Sequence, residues 1–553
     1  MSENLFLKAM TRGAGTAFTE NGAASYASMG TVLLDQFGKA GNNRGRDINE
    51  VFSDQAALWN ENADSALRFP FYLRMITRQT NLKDGAKTEK VQKGQGARDE
   101  AFKRLLWIAK YHPETFYANL WLLPIVGSWK DLWVLLSMDS SLNREAFFRV
   151  MAEGINDEST KDLVKKYLPR IRSNNKCVTE WAKSSNNDAK AFAKFAGWSY
   201  EDYRTFKSTG KAHTFQTYMC MGLYNKIDWK TIPGKALLNL VTGKFLENHN
   251  LTKSYEKWLD TQPVAKFNGY VYEFAQKLRK GYGLADVSMV TKKTIDKQFA
   301  NLIQTAKADQ GGIKGNVWVA LDTSGSMSSL VGNGMDLRAV ELAKSLAIYF
   351  ATLNEGAFHN YIMGFDDRAW LHKLTGESFT EKWYGSMPNV GCGGTNFQSV
   401  IDEIIRIKKN RPGVPESDFP QTLIVVSDMQ FNPVNSYSSW GRVSRMGAAE
   451  QKTNYEETIA KLKSAGFSEE FLKNWKMVWW YATARQTADY PTNMDNAGTY
   501  MFSGFDPAII TLLLGGQEMV VDKTTGKKRN PTMEEIVSDA LHQEVLELLS
   551  IKD

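Results

Sequence analysis

Between residues 49 and 302 apolar side chains return at every third and fourth position, as Phe102, Leu105, Leu106 and Ile108 do. That spacing lines one face of an α-helix. It predicts helices over 54–77, 98–111, 113–122, 129–136, 161–167, 188–196, 255–259 and 271–280, with short connections marked by Pro, Gly, Asn or Ser. No strand pattern interrupts the run, so the helices are expected to stack in pairs as a solenoid, although no exact internal repeat is present. Past the glycine-rich stretch 309–315 the pattern changes. Short apolar runs at 316–322, 360–365, 422–428, 477–483 and 499–503 alternate with helical segments at 336–353, 396–408, 455–465, 507–514 and 533–549. Such alternation predicts a doubly wound, mostly parallel sheet, with 369–374 as an antiparallel edge. Residues 1–48, rich in Gly, Ala, Ser and Asn, read as an irregular lead-in with little helix, expected to pack on the helical domain.

Two of the apolar runs end in chemistry. Val317-Trp318-Val319-Ala320-Leu321 leads into Asp322-Thr323-Ser324-Gly325-Ser326, and Leu423-Ile424-Val425-Val426 leads into Ser427-Asp428. Gly391-Cys392-Gly393-Gly394-Thr395 adds a hydroxyl on a glycine-rich loop just before a helix. Side chains at the carboxyl ends of parallel strands face the crevice where open α/β sheets bind ligands. Asp322, Ser324, Ser326, Thr395 and Asp428 offer only hard oxygen donors, which suit Mg²⁺, less well Ca²⁺ or Mn²⁺, and no soft metal. Gln430 and Cys392 stand beside this set as candidate supports. The loop 430–446 is long for an α/β connection and directly follows Asp428, so it is expected to overhang the site.

Asp322-x-Ser324-x-Ser326, then Thr395, then Asp428, in that order, resembles the metal-ion-dependent adhesion site (MIDAS) of a von Willebrand factor A (vWA) domain. The resemblance implies that Ser324, Ser326 and Thr395 ligate the ion directly or through water. Asp322 and Asp428 would balance its charge, and an acidic group of a partner would fill the open position. Further motifs lie upstream: Thr19-Glu20-Asn21-Gly22-Ala23, Leu34-Asp35-Gln36-Phe37, Phe71-Tyr72-Leu73-Arg74, Gly94-Gln95-Gly96-Ala97-Arg98-Asp99 and Gly127-Ser128-Trp129-Lys130-Asp131-Leu132. With Tyr167-Leu168-Pro169, Glu201-Asp202-Tyr203-Arg204 and Ile227-Asp228-Trp229, they resemble an uncharacterised family of plants, bacteria and viruses that couples a helical region to an A domain. That family is in turn similar to the TROVE module of Ro ribonucleoproteins. The expected architecture is therefore multidomain: a lead-in over 1–48, an all-α, HEAT-like helical-repeat (TROVE-like) domain over 49–310, and an α/β doubly wound, Rossmann-like vWA domain over 315–553. Capping and packing account equally well for most of the helical motifs, with Asp99 and Asp131 near helix starts, Trp129 in a core and Pro169 as a stop.

Charge sharpens the functional reading. Residues 1–310 carry 45 Lys and Arg against 32 Asp and Glu, whereas residues 311–553 carry 23 against 29. A basic part joined to an acidic part is expected when only one of them meets a polyanion. The densest basic zone includes Lys161, Lys165, Lys166, Arg170, Arg172, Lys176, Arg204, Lys207 and Lys211, with Trp181 and Tyr203 as possible base-stacking partners. A second cluster, Lys277, Arg279, Lys280, Lys292, Lys293 and Lys297, precedes the glycine-rich junction. Either cluster has the plainer explanation of a solvated, charged face.

Composition excludes several classes. Cys177, Cys220 and Cys392 lie far apart and make neither a zinc pattern nor a disulfide framework. The start Met1-Ser2-Glu3-Asn4 does not read as a signal peptide, and no apolar run approaches the roughly 20 residues of a spanning helix, so a cytoplasmic protein is expected. The reading that combines these features is a non-catalytic, Ro-like RNA-binding protein with Mg²⁺ (or Ca²⁺ or Mn²⁺) at the vWA site. Its partners would be RNA, single-stranded or a structured small RNA, and a protein supplying a carboxylate. A metal-dependent interaction scaffold without RNA is the alternative, and a metal-dependent phosphoryl-transfer enzyme a weaker one. Two-metal chemistry needs more carboxylates, for which only Asp366 and Asp367 stand near a strand end. There is no P-loop, no Gly-x-Ser-x-Gly and no His beside a plausible nucleophile.

Overall fold

A computed structural model describes residues 16–82, 86–171, 180–209, 215–264, 267, 269–280, 283–310, 312–313, 315–332, 335–385, 391, 393–434, 452–484, 489–496, 498–506, 520–521 and 528–552. The chain folds as two compact units. One takes in the chain up to Gly45 and Tyr224–Ser538, the other Arg46–Leu223 and Asp539–Asp553. This differs from the division expected at 309–315.

In the first unit a hairpin of β1 (Thr16–Phe18) and β2 (Ala24–Tyr26) precedes a sheet of six strands. The sheet strands are β3 (Val317–Asp322), β4 (Tyr361–Phe365), β5 (Ala369–Lys373), β6 (Thr422–Ser427), β7 (Lys476–Tyr481) and β8 (Thr499–Ser503). Their spatial order is β8-β7-β6-β3-β4-β5. All neighbours pair in parallel except β5, which runs antiparallel to β4 at the edge. Every residue of β3, β6 and β8 is buried, as expected of strands covered on both faces. Val, Ile, Leu and Trp therefore occupy positions of both parities, whereas a one-sided sheet would alternate. The chain leaves β3 toward β4 on one side and returns to pair β6 on the other, so the strand order reverses between β3 and β6. The crevice at the carboxyl ends of these two strands is where such sheets bind ligands.

The lead-in behaves differently from expectation. It contains a helix, Val32–Ala40, capped by Thr31, and residues up to Gly45 belong to the sheet unit. Tyr26 exchanges both backbone bonds with Tyr490, at 2.9 and 2.8 Å, and Asn42 accepts from the Gly504 amide at 3.0 Å. Hydrogen bonding decides this placement: the main-chain groups of the β1–β2 hairpin find partners beside the sheet, which no local periodicity encodes.

In the second unit consecutive helices pack on one another: Ile48–Glu61, Ala63–Arg74, Arg98–Tyr111 and Pro113–Asn119, followed by Lys130–Met138, Arg144–Asn156, Lys161–Tyr167, Glu180–Phe195 and Tyr200–Ser208. The sequence motifs here serve structure. Asp131, fully buried, accepts from Arg74 Nε at 2.8 Å and from the Ser128 amide at 2.8 Å, and pairs with Arg74 Nη2 at 2.6 Å. Trp129 lies against Gly154, where a Cβ would come within 2.2 Å of its ring. The chain end expected as one closing helix over 533–549 forms Met533–Leu541 and a short turn, Leu546–Leu548. Beyond it, Asn119 and Thr115 exchange hydrogen bonds of 2.6–3.0 Å with the backbone of Ser550 and Lys552. These bonds tie the last residues to the helical unit. Among the described residues no helix is long and apolar enough to cross a membrane.

Candidate metal centre

Asp322, the last residue of β3, turns a buried carboxylate toward the strand-order reversal. Its Oδ1 accepts the Ser324 amide at 2.8 Å, and its Oδ2 accepts the Ser427 hydroxyl at 2.5 Å. Ser427 was not singled out in the sequence. Its position as the last residue of β6, opposite the end of β3, is the signal that identifies it. Ser324 Oγ and Ser326 Oγ stand 3.1 Å apart; Ser324 is buried and Ser326 half-buried. Thr323 anchors the turn from below, its amide and hydroxyl donating to the Phe365 carbonyl at 2.9 and 3.1 Å.

Thr395 arrives on a loop stitched to both strand ends. The Gly391 amide donates to the Thr323 carbonyl at 2.8 Å, and the Asn432 amide to the Thr395 carbonyl at 2.9 Å. Asp367 Oδ1 accepts the Gly394 amide at 2.8 Å. The glycines are needed for this approach: a Cβ on Gly394 would fall 2.5 Å from Asn432 and 2.9 Å from Asp367. Asp366 and Asp367, weighed above as ligands of a second ion, flank this loop, and Asp367 braces it.

Asp428 follows β6 and is fully buried, with Oδ1 accepting the Gln430 amide at 3.3 Å. Burial first, and then the charge of Asp428, push the Asp322 carboxyl well above the usual carboxylate range. Two buried carboxylates that raise one another's cost of ionisation in this way call for a positive countercharge. Thr395 is 1% exposed, and its Oγ1 has no hydrogen-bond partner. A buried hydroxyl without a partner costs about 1–3 kcal/mol unless something outside the protein satisfies it. The donor set thus fits a hard divalent cation: three hydroxyls, one of them orphaned, and two carboxylates. Among the described residues no group of three or more His, Cys, Asp or Glu forms a metal cluster. The fit therefore depends on the hydroxyls, and nothing described would hold a second ion.

The basic zone is less uniform than its sequence. Lys166, Arg170 and Arg204 are exposed. Lys161 pairs with Glu158 at 2.9 Å. Lys207 Nζ donates to the Leu168 carbonyl and, at 3.2 Å, to that of Lys165, while Lys165 Nζ donates to the Thr209 carbonyl. These two lysines satisfy carbonyls at the carboxyl ends of each other's helices. Tyr203 is fully buried against Phe192 and Trp198 and donates to the Pro169 carbonyl at 2.6 Å, so it is a core residue and no base-stacking platform. Arg172, Lys176, Lys211, the Trp181 side chain, Cys392, most of the loop after Asp428 and the segment 507–514 lie outside the described residues. In the second cluster Arg279 pairs with Asp336, and Lys293 with Glu256 and Asp260.

The chain is similar to two families of unknown function. Residues 318–547 match the domain of unknown function DUF7788, and residues 19–213 match DUF2828. An uncharacterized protein, L728, of Acanthamoeba polyphaga mimivirus is 22% identical over 538 residues, covering 91% of this chain and 86% of the viral protein. Among solved structures, the crystal structure of the Deinococcus radiodurans RO (RSR) protein aligns with 75% of this chain and 86% of its own. Its TM-score is 0.39, at 14% identity.

Proposed function

We propose that this protein is a non-catalytic, Ro-like RNA-binding protein. In this reading the α/β unit is a vWA domain whose Asp322, Ser324, Ser326, Thr395 and Asp428 hold one divalent cation, Mg²⁺ in first place. The cation supplies an electrophilic position for an acidic group of a partner. The observation that carries the metal half is the buried, partnerless hydroxyl of Thr395, on a loop bonded to Thr323 and Asn432, which follow the two strand ends. In this reading the protein's part is to hold oxygen donors in a fixed array, and the cation compensates the two buried carboxylates.

The test is Thr395→Val, which keeps shape and removes only the hydroxyl. Mg²⁺ affinity measured by calorimetry is expected to fall at least about tenfold. The metal-free protein should be as stable as wild type, or more so by ~1 kcal/mol, because the orphan group is gone. Unchanged Mg²⁺ affinity in this variant would refute the site.

The RNA half rests on the basic excess of residues 1–310 and on the motif likeness to TROVE modules. The three exposed cations Lys166, Arg170 and Arg204 are its candidates for phosphate contact. Neutralising all three is expected to lower the slope of log affinity against log salt by about 2, at roughly 0.7 per phosphate contact with a single strand. Full-length protein and a fluorescent single-stranded RNA suffice for the measurement. A slope equal to that of wild type would move the RNA elsewhere, and RNA affinity independent of salt would favour the scaffold reading.

A further inference from the structure

Gln430 is 1% exposed, and each of its polar groups has a partner. Its amide donates to Asp428 Oδ1 at 3.3 Å, and its side-chain Nε2 to Asp489 Oδ2 at 2.9 Å. Its side-chain Oε1 accepts the Glu20 amide at 2.6 Å, and its carbonyl accepts Asn21 Nδ2 at 2.5 Å. The next residue is held in the same way: the Phe431 carbonyl accepts the Thr19 hydroxyl at 2.6 Å. Three consecutive residues of one turn therefore grip two consecutive residues that follow Asp428.

The gripping turn is itself stiff. Thr19 Oγ1 accepts the Ala23 amide at 3.0 Å while its backbone closes the turn with Ala23 and Gly22, each at 2.9 Å. Gly22 has φ +89°, a conformation that only glycine adopts without strain. The flanking strands β1 and β2 pair along their whole length, and Tyr26 is bonded on both sides to Tyr490, next to Asp489. The gripped segment is strained. Met429, between Asp428 and Gln430, has φ +61°, which costs a non-glycine residue roughly 1–2 kcal/mol. Such a conformation persists only where its surroundings over-determine it. Bonds from residues 19–21 and Asp489, together with the Met429 amide donating to Ser427 Oγ at 2.9 Å, supply that constraint.

We propose that the β1–β2 hairpin is a brace for the metal centre, with Gln430 as the positioning residue that transmits its grip to Asp428. The inference rests on the metal reading above for its consequence, and on this geometry alone for its existence. Partners that orient a ligating carboxylate typically contribute 10–100-fold to metal affinity.

The experiment uses the full chain with Gln430→Ala, Asn21→Ala and Thr19→Val, and reads two quantities. In metal-free protein, amide exchange at residues 428–432 is expected to accelerate in all three variants, most in Gln430→Ala. Mg²⁺ affinity by calorimetry should fall 10–100-fold in Gln430→Ala and several-fold in the two hairpin variants. Gln298→Ala is the control for general destabilisation. Gln298 is a buried amide of the same unit, bonded to the Gly234 carbonyl at 2.8 Å, and its loss should leave both readouts at the metal centre unchanged. Exchange at 428–432 equal to wild type in Asn21→Ala and Thr19→Val would overturn the brace, as would an equal loss of Mg²⁺ affinity in Gln298→Ala. If wild type itself takes up no Mg²⁺, the metal reading fails and the exchange data alone decide the brace.

Discussion

Arg74→Ala is expected to destabilise the helical unit by about 3–5 kcal/mol, the usual consequence of stranding one partner of a buried ion pair. Asp131 is fully buried and receives a guanidinium hydrogen bond at 2.8 Å and an ion-pair contact at 2.6 Å, besides the bond of the Ser128 amide. Without Arg74 its charge keeps a single protein donor. Water has little access, because Gly127 closes the site so tightly that a Cβ there would sit 2.3 Å from Asp131 Oδ2 and 2.9 Å from the guanidinium. Replacing both partners, Arg74→Met with Asp131→Leu, should recover most of the loss, since the pair's own desolvation cost disappears with it. Urea denaturation followed by amide exchange within Arg98–Met138 gives the local measurement. A loss below about 1 kcal/mol in Arg74→Ala would mean that the pair is solvated or replaceable.

Asp322→Ala is expected to abolish divalent-ion uptake while leaving the sheet folded. The β3 residues that fill the core, Val317 to Leu321, are untouched, and Asp322 contributes only its carboxylate at the strand end. A cation that binds the folded state stabilises it by about 2.7 kcal/mol at a hundred times its dissociation constant. Wild type should therefore melt at a higher temperature in excess Mg²⁺ than in chelator, and Asp322→Ala at the same temperature in both. A Mg²⁺-induced shift that survives the substitution would place the ion elsewhere or make it nonspecific.

Much of this molecule was open to reading from local pattern. The runs expected at 316–322 and 422–428 form as Val317–Asp322 and Thr422–Ser427, and the helices expected at 98–111 and 161–167 form as Arg98–Tyr111 and Lys161–Tyr167. The edge expected at 369–374 forms as the antiparallel Ala369–Lys373. These succeeded because side-chain periodicity is local and because strands buried on both faces must be apolar throughout. Tyr203 shows where such reading stops. Lysines and arginines around it suggested an exposed platform, yet its helix turns that residue into the core while Arg204, one position on, faces solvent. A charge-rich stretch does not reveal which of its members lie inward until the neighbouring helices are in place.

The sequence by itself determined the two kinds of secondary structure, the strand ends that carry Asp322 and Asp428, and the oxygen-only chemistry of the five candidate ligands. Those follow from composition and spacing within single elements. Tertiary structure alone decided that β3 and β6 are neighbours, that Ser427 donates to Asp322, and that the buried hydroxyl of Thr395, on the loop bonded to Asn432, is left without a partner. It also decided that residues 19–21 hold Gln430 beside Asp428. The physical reason is the same in each case. A buried polar group takes whichever partner the folded chain brings within about 3 Å, and sequence separation says nothing about that distance.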